Sequence, residues 1–298
     1  MATAQEIVLA PSDARYPTLL GAMASPPTLY MRGSVESTDA LAIAIVGSRR
    51  PTPYGVEIAE SLAAELASRG VTIVSGFARG IDTAAHRGAL SVGGRTLAIL
   101  GNGLDVVYPP ENRNLMTAVE RQGALLTQFR TGTGPLARNF PVRNRTLAGL
   151  ALGVVVVEAT ERSGALITAG FAADLGREVF AVPGRLTNEQ SRGPHGLLRD
   201  GAILVRDWAD VVQELPEQWR RAVHAPAEPA EPAEAVTDAQ ATVLAALRPD
   251  EPLHIEQLTD LVALTPGHLA SALVALELAG RARQLEGQRW IAMRSRRK

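Results

Sequence analysis

The chain has 298 residues, no cysteine, and 30 Lys and Arg against 31 Asp and Glu, for a formal net charge of -1. That length holds one large α/β domain plus a smaller one, and the lack of cysteine excludes a disulfide framework, a thiolate metal site and a cysteine nucleophile. The balanced charge excludes a nonspecific basic coat, so any binding of nucleic acid has to come from a local patch.

The opening residues, M-A-T-A-Q-E-I-V-L-A-P-S, have no basic stretch followed by a long apolar run, and no segment reaches the roughly 18 apolar residues of a membrane span. These features point to a soluble cytoplasmic protein with no membrane attachment. Residues 1–40 read as an N-terminal extension of the domain that follows. Over residues 41–221 short β-branched runs alternate with helical patterns. Strands are predicted at Leu41–Val46, Thr72–Ser75, Thr96–Leu100, Leu125–Thr127, Val154–Glu158, Val179–Val182 and Ile203–Val205. Between the first two, Tyr54–Arg69 places Ile58, Leu62 and Leu66 on one helical stripe. Nearly uninterrupted apolar strands separated by amphipathic helices make a parallel sheet covered on both faces, which is doubly wound α/β.

Ligands of such sheets sit at the carboxyl ends of the strands, where loops lead into helix N-termini with free N–H groups. There the chain carries G-S-R-R at 47–50, S-G-F-A-R-G-I-D at 75–82, G-N-G-L-D at 101–105, E-A-T-E-R-S-G-A at 158–165 and P-G-R at 183–185. Glycines and small hydroxyl residues recur where a phosphate or ribose needs close approach to the backbone. The G-x-x-x-x-G-K-[ST] loop is absent, and G-N-G-L-D-V lacks the third glycine of the dinucleotide signature, so hydride transfer and nucleoside triphosphate hydrolysis lose ground. Asp82 and Asp105 read as loop-capping groups, and His86 as a buried or helix-face histidine rather than a base. The five histidines show no helical metal pair.

From Arg121 to Val157 the chain has Arg121, Arg130, Arg138, Arg143 and Arg145 but no Asp or Glu. Within it, N-F-P-V-R-N-R-T-L-A-G-L from Asn139 to Leu150 sets guanidiniums beside an aromatic ring. Arginine pairs phosphates in a fork and a phenyl ring offers a stacking face to a base, which points first to single-stranded nucleic acid, while the same residues also fit Phe140 in the core with the arginines on a solvated face. A nuclease is disfavoured, because two-metal sites need clustered carboxylates.

Residues 222–235, centred on A-P-A-E-P-A-E-P-A-E-A, read as a stiff linker without core-forming residues. Residues 236–298 then read as a small module with helices at Asp238–Leu247, Ile255–Val262 and Pro266–Ala279, a hairpin around Glu286 and Gly287, and the basic tail Arg294, Arg296, Arg297 and Lys298. This order resembles a winged helix. Its third helix shows His268, Ser271 and Glu277 and no Lys or Arg before Arg281, a poor set for reading duplex DNA and better suited to a protein contact or auxiliary role.

Taken together, the loops resemble the DNA-processing protein A family (DprA, also called Smf). The matching residues are G-S-R at 47–49 with Tyr54-Gly55, S-G-x-A-x-G-I-D-x-x-A-H from Ser75 to His86 with Gly88-Ala89-Leu90, and G-x-G-L-D-x-x-Y-P-x-x-N from Gly101 to Asn112. They continue with F-P-x-R-N-R from Phe140 to Arg145, S-G-A-L-I-T-A ending at Ala169, G-R-E-V-F-A-V-P-G from Gly176 to Gly184, and Gly201-Ala202. Two departures stand out: no helical SAM-like domain is expected ahead of Tyr16-Pro17, and Pro194-His195 stands where members usually carry a small residue and Asn.

The resemblance implies an extended Rossmann-like sheet domain that forms a homodimer, binds single-stranded DNA on the strand-end rim, protects incoming DNA in natural transformation and loads the RecA recombinase. It implies no catalysis, cofactor or metal. Carried onto this chain, Arg49, Arg143 and Arg145 engage phosphates, Ser75, Gly76 and Arg79 shape the pocket, and Phe140 or Asn144 contacts a base or sugar. The alternative is a nucleotide-processing enzyme of the phosphoribohydrolase type on a related sheet. Such an enzyme needs a carboxylate near the glycosidic bond, for which Glu158 is the candidate, but E-R-S-G-A-L-I-T-A stands where its P-G-G-x-G-T-x-x-E loop belongs.

Overall fold

The computed structural model describes residues 6–224, 237–285 and 287–293. The chain divides into two compact units, residues 1–227 and 228–298. In the first, β1 (Ile7–Leu9), β2 (Leu29–Gly33), β3 (Ala42–Val46), β4 (Thr72–Ser75), β5 (Thr96–Leu100), β6 (Gly123–Thr127), β7 (Gly153–Val156), β8 (Glu178–Ala181) and β9 (Ile203–Leu204) form one sheet. Its spatial order is β1-β2-β6-β5-β4-β3-β7-β8-β9. Strands β3 to β9 are parallel, whereas β2 pairs antiparallel with β6 and β1 with β2.

The helices of this unit are α1 (Thr18–Gly21), α2 (Pro53–Ala67), α3 (Ile81–Ser91), α4 (Arg113–Gln122), α5 (Asn139–Gly149), α6 (Gly164–Asp174), α7 (Arg192–Arg199), α8 (Trp208–Gln213) and α9 (Glu217–Arg220). Strand β3, A-I-A-I-V, is buried along its whole length. Ala44, Val46, Val154 and Val156 join the core beneath α5 and α6, and the alternating Ile43, Ile45 and Val155 join the core beneath α2 and α3. The period of two along each strand thus feeds both helical layers. Helix α2 starts where Thr52 accepts the Gly55 N–H at 3.2 Å and Pro53 fills the first helical position, whose N–H has no intrahelical partner.

Chain order explains where a ligand can enter. From β3 the chain steps outward through β4, β5 and β6, then α5 carries it back across to β7 on the other side of β3. The carboxyl ends of β3 and β7 therefore border the topological switch point, where neighbouring crossovers diverge and leave a crevice.

The antiparallel β1–β2 edge within residues 1–40 carries no distinctive sequence signal, because both strands are short and lie outside the parallel repeat. Residues 222–224, assigned to the linker from composition, pack on the sheet unit: Ala222 and Val223 join its core and the His224 N–H donates to the Arg69 carbonyl at 3.0 Å. The rest of the Pro/Ala/Glu stretch, Glu286 and the basic tail lie outside the described residues.

The second unit contains α10 (Asp238–Ala246), β10 (Leu253–His254), α11 (Ile255–Leu261), α12 (Pro266–Leu278), β11 (Ala282–Leu285) and β12 (Arg289–Ala292), with strand order β10-β12-β11. Thr237 and His254 make capping boxes with Gln240 and Gln257, and Thr265 caps α12 ahead of Pro266. Leu258, Leu269, Leu273, Leu276 and Trp290 form its core. His268, Ser271, Val274 and Glu277 remain exposed on α12. The chain thus combines a large doubly wound α/β sheet unit with a winged-helix unit.

His86 on α3 is fully buried, with its Nδ1 2.7 Å from the Thr96 hydroxyl and its ring 5.8 Å from that of Phe77. Among the described residues its Nε2 has no partner. Burial, aided by the nearby Arg143 charge, pushes its pKa down from 6.5 to about 3. The unfolded chain therefore binds the proton first, and stability is lost as pH falls below about 6.5 toward about 3. We expect wild type to lose stability relative to His86→Leu by about 1.4 kcal/mol for each pH unit below the unfolded value, read from urea unfolding between neutral and mildly acidic pH. A pH-independent difference between the two proteins would overturn this assignment.

Candidate nucleic-acid interface

The switch point opens into a cleft of about 760 Å³ lined by residues that follow β3 and β7 and by the first turns of α5 and α6. Its wall after β3 is the loop Gly47–Pro51. The Ser48 N–H donates to the Glu158 carbonyl at 2.6 Å, the Ile81 N–H donates to the Ser48 carbonyl at 3.1 Å, and the Arg50 N–H donates to the Ser48 hydroxyl at 3.0 Å. Glu158, two residues past the end of β7, is 1% exposed. Its carboxylate accepts the Thr52 N–H at 2.8 Å, the Thr52 hydroxyl at 2.7 Å and the Asn188 amide at 3.2 Å. It ties together the loops after β3, β7 and β8, and these bonds hold the backbone from which Arg49 projects.

Helix α5 supplies the opposite wall. Pro141 sits in its first turn, where a missing N–H breaks no helical bond. Phe140 is half-buried over Gly101, at which a Cβ would stand 3.0 Å from the ring, and its centroid lies 6.1 Å from that of Tyr108. The exposed guanidinium of Arg49 lies 5.1 Å from the Phe140 centroid and that of Arg143 lies 5.7 Å from it, so two cations flank one ring.

Arg143 is only 4% exposed. Its Nη1 donates to the Ile99 carbonyl at 3.2 Å and lies 4.0 Å from the Asp82 carboxylate, while its Nε has no partner among the described residues. Burial pushes its pKa down to about 10, against the pull of Asp82, so it keeps its charge at neutral pH. Asp82 accepts the Ala78 N–H at 3.2 Å, and burial pushes its carboxyl up while Arg143 opposes the shift. The guanidinium passes so close to Gly76 that a Cβ there would lie 1.5 Å from Nη1. Any side chain at position 76 displaces the buried cation.

Of the residues singled out in the sequence, Arg49, Phe140, Arg143 and Asn144 line the cleft together. Asn144 donates to the Gly164 carbonyl at 3.3 Å, linking α5 to the start of α6. The others are placed differently from a simple ring of contacts. Ser75 is fully buried and donates its hydroxyl to the Ile45 carbonyl at 2.6 Å, so it supports the floor and offers no donor to a ligand. Gly76 acts through the space it leaves for Arg143. Arg79 is exposed and paired with Glu111 outside the cleft lining, and Arg145 projects from the exposed side of α5.

Sequence reasoning treated Glu158 only as a candidate acid and missed the bracing by Thr52 and Asn188. Tyr108 and Gly101 were visible only as motif letters, since the ring that explains both comes from a segment distant in sequence. Asp105 accepts the Gly132 N–H at 3.0 and 3.1 Å and holds a loop, as expected of a capping carboxylate. Among the described residues no three His, Asp or Glu side chains are grouped to hold a metal ion, and no single helix is long and apolar enough to cross a membrane. A planar ring flanked by cations, with the nearby carboxylates Asp82 and Glu158 hydrogen-bonded, suits a stacked base beside phosphate.

Residues 7–216 match the family model of DNA recombination-mediator protein A, and residues 226–288 match the DprA winged helix domain. Protein Smf of Escherichia coli (strain K12) is 44% identical over 210 residues, which cover 70% of this chain and 56% of that protein's length. The X-ray structure of DNA processing protein A from Streptococcus pneumoniae is similar with a TM-score of 0.68 at 40% identity, covering 70% of this chain and 74% of that one. A structure of the Helicobacter pylori protein, which concerns that protein's single-stranded DNA binding mode, is similar with a TM-score of 0.63 at 29% identity, covering 72% of this chain and 98% of that one. With sheet unit and winged helix both matched in order, the chain belongs to the DNA recombination-mediator protein A family.

Proposed function

We propose that this protein binds single-stranded DNA in the switch-point cleft, without catalysis, as a DNA-processing protein of natural transformation. The observation that carries the reading is the Phe140 ring flanked by Arg49 and Arg143 in a cleft without a free carboxylate. Arg49 pairs backbone phosphate, Phe140 stacks a base, and Arg143 supplies a fixed positive field from below. Stacking and phosphate pairing are tolerant of base identity, so the strand is held with little sequence preference. The likeness to the Helicobacter pylori protein supports the same ligand.

The finer parts of the proposal rest on the family likeness. The protein acts as a homodimer, protects incoming strands and hands them to RecA, in keeping with the recombination-mediator description of the family. The phosphoribohydrolase reading has less support, because the Glu158 carboxylate is buried and accepts three hydrogen bonds.

Anisotropy titration of labelled single-stranded and duplex DNA over a salt series tests the cleft. Wild type should prefer the single strand. Arg49→Ala should weaken binding to every sequence alike and make the slope of log K against log salt shallower by about 0.7. Phe140→Ala should cost about 1–3 kcal/mol of affinity, and Phe140→Trp should retain most of it. Equal affinity for duplex, or unchanged affinity in both alanine variants, would reject the cleft as the binding site. For the hand-over, the lag before RecA filaments grow on single-stranded DNA should shorten when this protein is added, and an unchanged lag removes that part of the proposal.

A further inference from the structure

Helix α5 presents two different arginine faces. The inner one carries Phe140, Arg143 and Leu147, which line the cleft. Arg138, Val142 and Arg145 follow the four- and three-residue spacing that puts side chains on one stripe, and all of them are exposed, Val142 by 48%. Arg138 already has helical backbone angles, φ -65 and ψ -18, so the stripe runs unbroken into the helix. Pro141 connects the two faces. It lines the cleft, with Arg138 one turn before it and Arg145 one turn after it.

We propose that this outer stripe is a second contact site for nucleic acid, a track that takes the strand as it leaves the cleft over Pro141. The inference rests on the reading of the cleft as a site for single-stranded DNA. Charge complementarity selects the occupant. Arg138 and Arg145 make no ion pair among the described residues, and residues 121–157 contain no Asp or Glu to neutralise them. Their spacing around Pro141 places one cation on each side of the exit. Val142 between them offers apolar surface to a sugar or base edge. The cleft and the track therefore make one continuous path whose inner part fixes a base and whose outer part adds phosphate contacts.

The test is length dependence. Labelled oligothymidylates of about 4 and about 16 nucleotides, spanning the usual range for one binding module, are titrated against wild type and the Arg138→Ala, Arg145→Ala double variant. Both substitutions are at exposed positions, and thermal melting checks that the fold is kept. Wild type should bind the longer oligomer more tightly than the added lattice positions alone explain. The variant should lose that gain, with its salt slope on the longer oligomer shallower by about 1.4, or about 0.7 for each phosphate contact. A variant that keeps the full gain shows that the strand does not follow α5. Equal losses on both lengths show that the arginines act within the cleft, which also overturns the track. Failure of wild type to bind either oligomer removes the cleft reading itself, and the track with it.

Discussion

The site depends on a buried guanidinium. Placing Arg143 at 4% exposure costs several kcal/mol of hydration, which the Ile99 carbonyl and the Asp82 carboxylate at 4.0 Å offset only in part. Its Nε has no partner among the described residues, and the group keeps its charge at neutral pH. Several neighbours follow from this choice. Position 76 has to be glycine to let the guanidinium pass, Asp82 has to stay buried to balance it, and His86 beneath has to stay neutral. The Phe140 ring is held between this fixed cation and the exposed one of Arg49. A ring held this way has little freedom left to lose on contact with a ligand.

That arrangement also changes how substitutions at the site are to be read. Removing the Arg143 side chain leaves Asp82 buried without its counter-charge, a loss of about 3–5 kcal/mol typical of broken buried pairs. Loss of binding in such a variant reports on the fold as much as on phosphate contact. Arg49 is exposed and anchored through backbone bonds that Ser48 and Thr52 make with Glu158, so its removal separates the two effects. Glu158 thereby has a definite structural role at the site. At the switch point it joins loops that the sheet topology itself leaves apart.

Much of the sheet was legible because its strands obey a strong rule. The uninterrupted apolar runs at β3, β4 and β5 admit only a two-sided burial, and their ends mark the ligand rim. Arg49, Phe140 and Asn144 could be placed at the cleft because their segments carry local signals of charge and aromaticity. Ser75 and Arg79 illustrate the limit. Each stands in a loop of the right type, yet whether a hydroxyl or guanidinium faces ligand depends on partners far away in sequence, Ile45 for one and Glu111 for the other. Helical phase decides between Arg143 and Arg145. Two residues apart, they lie on nearly opposite sides of α5, and the segment's mixed composition does not announce which side is buried.

The same pairing logic explains how a chain with a net charge of -1 builds a positive surface. Away from the cleft, several arginines are matched with acids: Arg95 with Asp39 and Glu36, Arg69 with Glu65, Arg206 with Asp210, Arg221 with Glu217. Such pairs cancel at the distance of a Debye length and leave little field outside the molecule. Along α5, Arg138 and Arg145 are exposed in a segment without acids and make no ion pair among the described residues, while the buried Arg143 is balanced by Asp82 at 4.0 Å. A polyanion near α5 therefore meets local attraction, even though the chain as a whole carries a net charge of -1. Net charge therefore carries no information about where a positive surface lies.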